Sequence, residues 1–125
     1  MDINMGMKPH IRPVEDFRIS SVAWELDIEA RHEKAGFDPV SRDTTLRRFF
    51  MWVDFLQQHR MTTRTIAKAL DDVDESTELR NHDLTDEGFD FVRHYHGRWL
   101  NRSGKDSGAE KERKFLDKWL KKFRG

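Results

Sequence analysis

Apolar residues along this chain recur mostly at helical spacing. Leu46, Phe49, Phe50, Val53 and Leu56 follow an i, i+3, i+4, i+7 order, and Trp52 and Phe55 widen the stripe. The segment "SRDTTLRRFFMWVDFLQQHR" therefore predicts a central helix capped by Ser41 or Asp43. In "LTDEGFDFVRHYHGRWL", Phe89, Val92, His96 and Trp99 share one face. Thr85 is the expected cap there, Asp86 and Glu87 suit the positive helix end, and Leu84 can staple onto Phe89. After the loop "NRSGKDSG", Phe115, Leu116, Trp119, Leu120 and Phe123 form a third stripe, with Ser107 and Glu110 at capping-box spacing.

Two segments are less one-sided. In "RISSVAWELDIEARHEKAGFDP", Val22, Trp24, Leu26 and Ile28 alternate as in a strand. Val22, Leu26 and Ala30 also share a helical face, Gly36 stands where a helix would end, and no second strand-like run exists to pair with a strand. Helix is the expectation. "TTRTIAKAL" reads as a short helix capped by Thr62 or Thr63, with Ile66, Ala67 and Leu70 inward. The stretch after it offers only Val73, Leu79 and Leu84 to a core, so a long connection containing turns is expected. Met1 to Pro13 lacks periodicity and reads as an extended or frayed arm. The predicted fold is all-α: one compact bundle of about five helices over residues 14–125, with a long acidic connector.

Composition narrows the classes. The 125 residues suffice for one core, and with 36% hydrophobic against 37% charged residues that core must lean on its four Trp and nine Phe. Without Cys there are no disulfides and no thiolate sites, and the N-terminus has no apolar segment of the signal-peptide kind. No run is long enough to span a bilayer, so no membrane association is expected and a cytoplasmic location is the plain reading.

Zero net charge hides strong segregation. Residues 1–40 carry a net −3, 41–70 a net +4, 71–90 a net −8 and 91–125 a net +7. Blocks of this size create local fields that steer partners. The acidic block either answers the basic C-terminal helix within the fold or faces a basic partner. Mutual repulsion among nine carboxylates, avoidable with Ser or Asn, favours the partner.

Candidate chemistry is sparse. His94 and His96, two apart, lie on different helix faces; His32-Glu33 lacks a second His; His82 beside Asp83 is a loop pair. No metal site and no cofactor are expected. There is no Gly-rich phosphate loop and no serine elbow, and the cluster Arg93, His94, Tyr95, His96 and Arg98 reads as packing and ion pairing. The chain is expected to be non-enzymatic.

"FFMWVDFLQQHRMTTRTIAKALDDVDESTEL" resembles the helix-turn-helix of bacterial regulators, whose supporting helix has a T-x-x-x-I-A-x-x-L pattern, and "LTDEGF" resembles the close of a winged variant. That resemblance implies DNA binding. Yet the recognition element would be "ESTELRNHD", with Arg80 its one cation, and phosphate contacts need Lys or Arg. Nucleic acid is thus the alternative, reached through the basic regions 41–70 or 111–124. The sequence of "MTTRTIAKAL", an acidic connector, "DLTDEGFDFVRHYHGRWL" and a terminal helix resembles small all-helical bacterial immunity proteins. This implies an inhibitor that covers a basic, nuclease-like toxin with an acidic surface. Asp71, Asp72, Asp74, Glu75, Glu78, Asp83, Asp86 and Glu87 are the expected contact carboxylates, with Arg80 fixing register.

Overall fold

The computed structural model describes residues 12–38, 40–101 and 108–125. Strand β1 (Arg18–Ser21) leads directly into α1 (Val22–Lys34), followed by α2 (Arg42–Gln58), strand β2 (Glu78–Arg80), α3 (Asp86–Asn101) and α4 (Ala109–Arg124). Short 3-10 turns occupy Leu70–Asp72 and Asn81–Asp83. Each strongly periodic segment is helical. Ser41 caps α2 by accepting the Thr44 amide at 3.1 Å, and Thr85 caps α3 by accepting the Gly88 amide at 3.1 Å. Ser21 caps α1, accepting the Trp24 amide at 3.0 Å, and the chain leaves that helix through Gly36 at φ +96°. The expected capping box of α4 falls on Ser107, which lies outside the described residues. The helix starts after Gly108, whose φ of +107° suits glycine. The expected arm lies outside the described residues as far as Ile11.

The five-helix, all-α expectation is wrong. Among the described residues there are four α-helices and a two-stranded antiparallel sheet, with Arg18 opposite Arg80, Ser20 opposite Leu79 and Ser21 opposite Glu78. The missing helix is "TTRTIAKAL", and an accounting of its amide donors gives the reason. Thr62 forms an isolated bridge with Leu84, and the Thr63 amide donates to the Asp83 carbonyl at 2.8 Å. Ile66 and Ala67 donate to Gln57 Oε1 at 2.7 and 3.2 Å. Lys68 and Ala69 donate to Asp72 Oδ2 at 2.8 and 3.1 Å. Donors that a helix would bond to carbonyls four residues back are taken by side chains and by the 83–84 backbone. The helix-turn-helix likeness thereby loses its supporting helix.

The acidic connector supplies the sheet's second strand. Leu79 is fully buried between half-buried Glu78 and Arg80, the alternation a half-exposed strand requires. Asn81, also fully buried, ties down the segment before β1: its Oδ1 accepts the Phe17 amide at 2.7 Å and its Nδ2 donates to the Glu15 carbonyl at 2.9 Å.

The core is an aromatic stack running through α2, α3 and α4. Trp52 stacks on Trp99 (5.7 Å between centroids) and on Phe91 (5.8 Å), while Tyr95 stacks on Trp119 at 5.3 Å. Embedded beside it is a charged group. Glu112, with no exposed surface, accepts from Arg48 Nε at 2.7 Å and from Arg47 Nη1 at 2.8 Å. Arg48 also donates to the Trp99 carbonyl at 2.6 Å and lies 4.2 Å over the Trp99 ring. Three helices meet on one guanidinium.

Removing Glu112 leaves that guanidinium buried without its counter-charge. Glu112→Ala is expected to destabilise the fold by about 3–5 kcal/mol, whereas the paired change Arg48→Met with Glu112→Leu costs markedly less. Urea unfolding decides this, and a near-neutral Glu112→Ala would contradict it. At Gly88 an added Cβ would lie 2.2 Å from the Met61 carbonyl oxygen, a backbone atom. Gly88→Ala should therefore cost about 1–3 kcal/mol by overpacking in the same assay.

Candidate functional site

The nine residues expected to face a partner are mostly bonded within the fold. Asp72 caps the 68–69 amides as above. Asp74 Oδ1 accepts the Ser76 amide at 2.8 Å and the Ser76 hydroxyl at 2.5 Å. Those bonds from Ser76 hold its carboxyl below the usual range. Glu75 meets Arg42 at 3.4 Å, Asp86 meets Arg12 at 3.1 Å, and Asp83 accepts Arg64 Nε at 2.6 Å and the Arg80 amide at 2.8 Å. Arg80 bridges Glu78 and Asp16, each at 2.9 Å. Glu87 receives both Nε and Nη2 of Arg124, at 3.0 and 2.9 Å. So the block answers arginines scattered through the chain, and Glu87 meets the C-terminal helix.

Asp71 is the exception. Among the described residues it makes no ion pair and caps nothing. It lines an open groove of about 560 Å³. Asp43 stands on the same groove, which is also lined by Leu46, Leu70 and Val73. Leu70, 45% exposed, adds an uncovered apolar side chain to the same groove. Arg47 reaches the groove too, with its Nη1 turned to Glu112.

The cluster Arg93 to Arg98 does not converge. Buried His96 faces Glu25, 3.4 Å away, and leans on Trp52, whereas Tyr95 packs on Trp119, His94 on Phe123, and Arg98 lies over Tyr95. Sequence reading missed the partners of His96: Glu25 is 4% exposed and Ser20, 1% exposed, donates to its Oε2 at 2.6 Å. These are the residue types of a hydrolase triad in the wrong order. The carboxylate sits between serine and histidine, so the ring cannot take the serine proton. Among the described residues no three His, Asp or Glu side chains gather as a metal site.

The open surface of α4 is strongly basic. Lys111, Lys114, Lys118, Lys121 and Lys122 are all exposed, and among the described residues none enters an ion pair. Phe115, Trp119 and Phe123, half-buried, run beside them at four-residue spacing.

Comparison with protein-family models, with curated proteins and with solved structures returns no match. Among the described residues no helix is long and apolar enough to cross a membrane.

Arg124 also donates to the His59 carbonyl at 3.3 Å, closing a clasp between the ends of α2 and α4 and the start of α3. Its hydrogen bonds hold the Glu87 carboxyl below its usual value. Burial first, then the Arg124 charge, lowers His59. Both folded values lie below the unfolded ones, so both contributions are complete above the unfolded values. Each is lost as pH falls through its folded value. Arg124→Gln should raise Glu87 towards the ordinary carboxylate range in an NMR titration and flatten the acid limb of stability. An unmoved Glu87 would mean the clasp is open in solution.

Proposed function

We propose that this chain is a non-enzymatic interaction domain of the immunity or inhibitor type. It acts in the cytoplasm on a basic, nuclease-like protein partner, and a cationic side chain of that partner enters the groove beside Asp71. The observation that supports this reading is one groove lined by two carboxylates, Asp43 and Asp71, together with uncovered Leu70 and with Leu46 and Val73. Carboxylates lining a groove accelerate encounter with a basic surface, and apolar lining retains the aliphatic stem of Lys or Arg. The exposed acids Asp72, Asp74 and Glu75 follow directly in sequence and extend the negative field. Their ion pairs and caps reduce that field without covering the side chains.

The partner to try is the product of the reading frame adjacent to this gene. Co-expression should yield a complex that survives gel filtration at about 0.15 M salt. Asp43→Asn with Asp71→Asn should slow association about tenfold and flatten its salt dependence. A complex whose rate and salt slope ignore both changes would move the contact elsewhere. Absence of any complex would remove support for inhibition of that partner.

A further inference from the structure

The fold treats its two kinds of cation differently. Among the described residues, every ion pair with a carboxylate is made by Arg or His, and none by Lys. The five lysines of α4 are therefore an uncompensated charge on a helix whose position is fixed. On a helical wheel Lys111, Lys114, Lys118, Lys121 and Lys122 fall within about 100° of arc. From Lys111 to Lys122 they extend along about 16 Å of axis, with successive side chains about 5–6 Å apart. The two acids exposed on this helix, Glu110 and Asp117, lie at one border of the arc, and Asp117 is 3.9 Å from Arg113.

The other border is aromatic. Phe115, Trp119 and Phe123 retain part of their surfaces in solvent. Trp119 is stacked from within by Tyr95, which Arg98 overlies at 5.6 Å, so a further cation stands across the aromatic seam from the lysines.

The inward face of α4 is already committed, with Glu112 and Leu116 fully buried and Leu120 6% exposed. This excludes the mode in which a basic amphipathic helix inserts its apolar side into lipid. What remains outside is a straight row of evenly spaced positive charges bordered by rings. The complementary occupant is a polyanion with evenly spaced charges and flat groups: one strand of nucleic acid. Its phosphates follow the lysine row and its bases meet the ring border.

We infer that the exposed face of α4 binds single-stranded nucleic acid, with Lys111, Lys114, Lys118 and Lys122 on the phosphates and Trp119 against a base. The site shares no residue with the groove at Asp71 and does not depend on it.

The test is fluorescence anisotropy of the full chain with labelled oligo-dT and oligo-U of about 12 nucleotides, long enough to cover the lysine row at about 3.4 Å per charge. Binding is expected at low salt. Engagement of four phosphates predicts a slope of log affinity against log salt of about −3. Replacing Lys111, Lys114, Lys118 and Lys122 by Gln should weaken binding by about tenfold or more and bring the slope close to zero. Lys34→Gln with Lys68→Gln should leave both unchanged. In the unaltered protein, oligo-dT should shift the Trp119 indole NMR signal, a readout that needs no variant to fold. Absence of binding at low salt, or an unmoved Trp119 signal, overturns the inference. So does duplex DNA or poly-glutamate binding as tightly as the single strand, since either would dispense with the rings.

Discussion

Glu112 is one turn into α4 and has no contact with solvent, yet two arginines of α2 converge on it and one of them reaches on to the backbone of α3. A buried carboxylate is tolerated only with its counter-charges in place, and this makes the docking of α4 nearly all-or-none. A slide of one residue along the helix would carry Glu112 about 100° around the axis and strand both charges in apolar surroundings. Leu116 and Leu120, one and two turns further on, would accept several registers; Glu112 accepts one. Through it, the orientation of the whole outer face of α4 is decided. At the far end of the helix, Arg124 fixes the same placement a second time through Glu87 and the His59 carbonyl.

The same division of labour runs through the molecule. A guanidinium offers a rigid fork of donors and is weakly hydrated, so it serves where a geometry must be held. Arg12, Arg42, Arg64, Arg80 and Arg124 hold the acidic segment to the rest of the chain. Ammonium groups keep their water, and here they are left on the outside of α4. Many of the described acids are thus engaged by arginine, whereas the described lysines are left open. The open face of α4 is positive, although the densest charge in the sequence is negative.

Legibility followed the range of the forces involved. Residues 42–58 and 86–101 declare themselves by period, because one helical face must meet the core whatever its partners. The segment 62–70 has a helix-like pattern too, but Gln57, Asp72 and Asp83 bond its amides, and nothing local announces that. The strands are four and three residues long and pair across about sixty positions, so β2 was invisible within a segment that reads as a polar connector. Counting charge along the chain located the −8 block and led to the expectation of a partner-facing surface, yet apart from Arg80, which lies within it, the arginines paired with it above come from 19 to 74 residues away. A window along the sequence cannot see them. Asp71 differs from its neighbours only in three dimensions.

That contrast bears on how the two surfaces relate. Arg47 links them physically: it lines the groove of Asp43 and Asp71 while its Nη1 donates to Glu112, the residue that sets the register of α4. The carboxylates on the groove therefore do not need to neutralise Arg47, whose charge is already answered from the interior, and they remain available to an incoming cation. Likewise the lysines of α4 owe their freedom to arginines, since Arg113 and Arg124 on the same helix engage acids of α2 and α3. Buried and clasped guanidinium pairs fix the frame, and among the charges left over, two carboxylates on the groove with Leu70 and a row of lysines beside Trp119 acquire fixed directions from it. A chain with the same composition but lysine in the pairing positions would hold its helices less rigidly and present neither surface in a defined geometry.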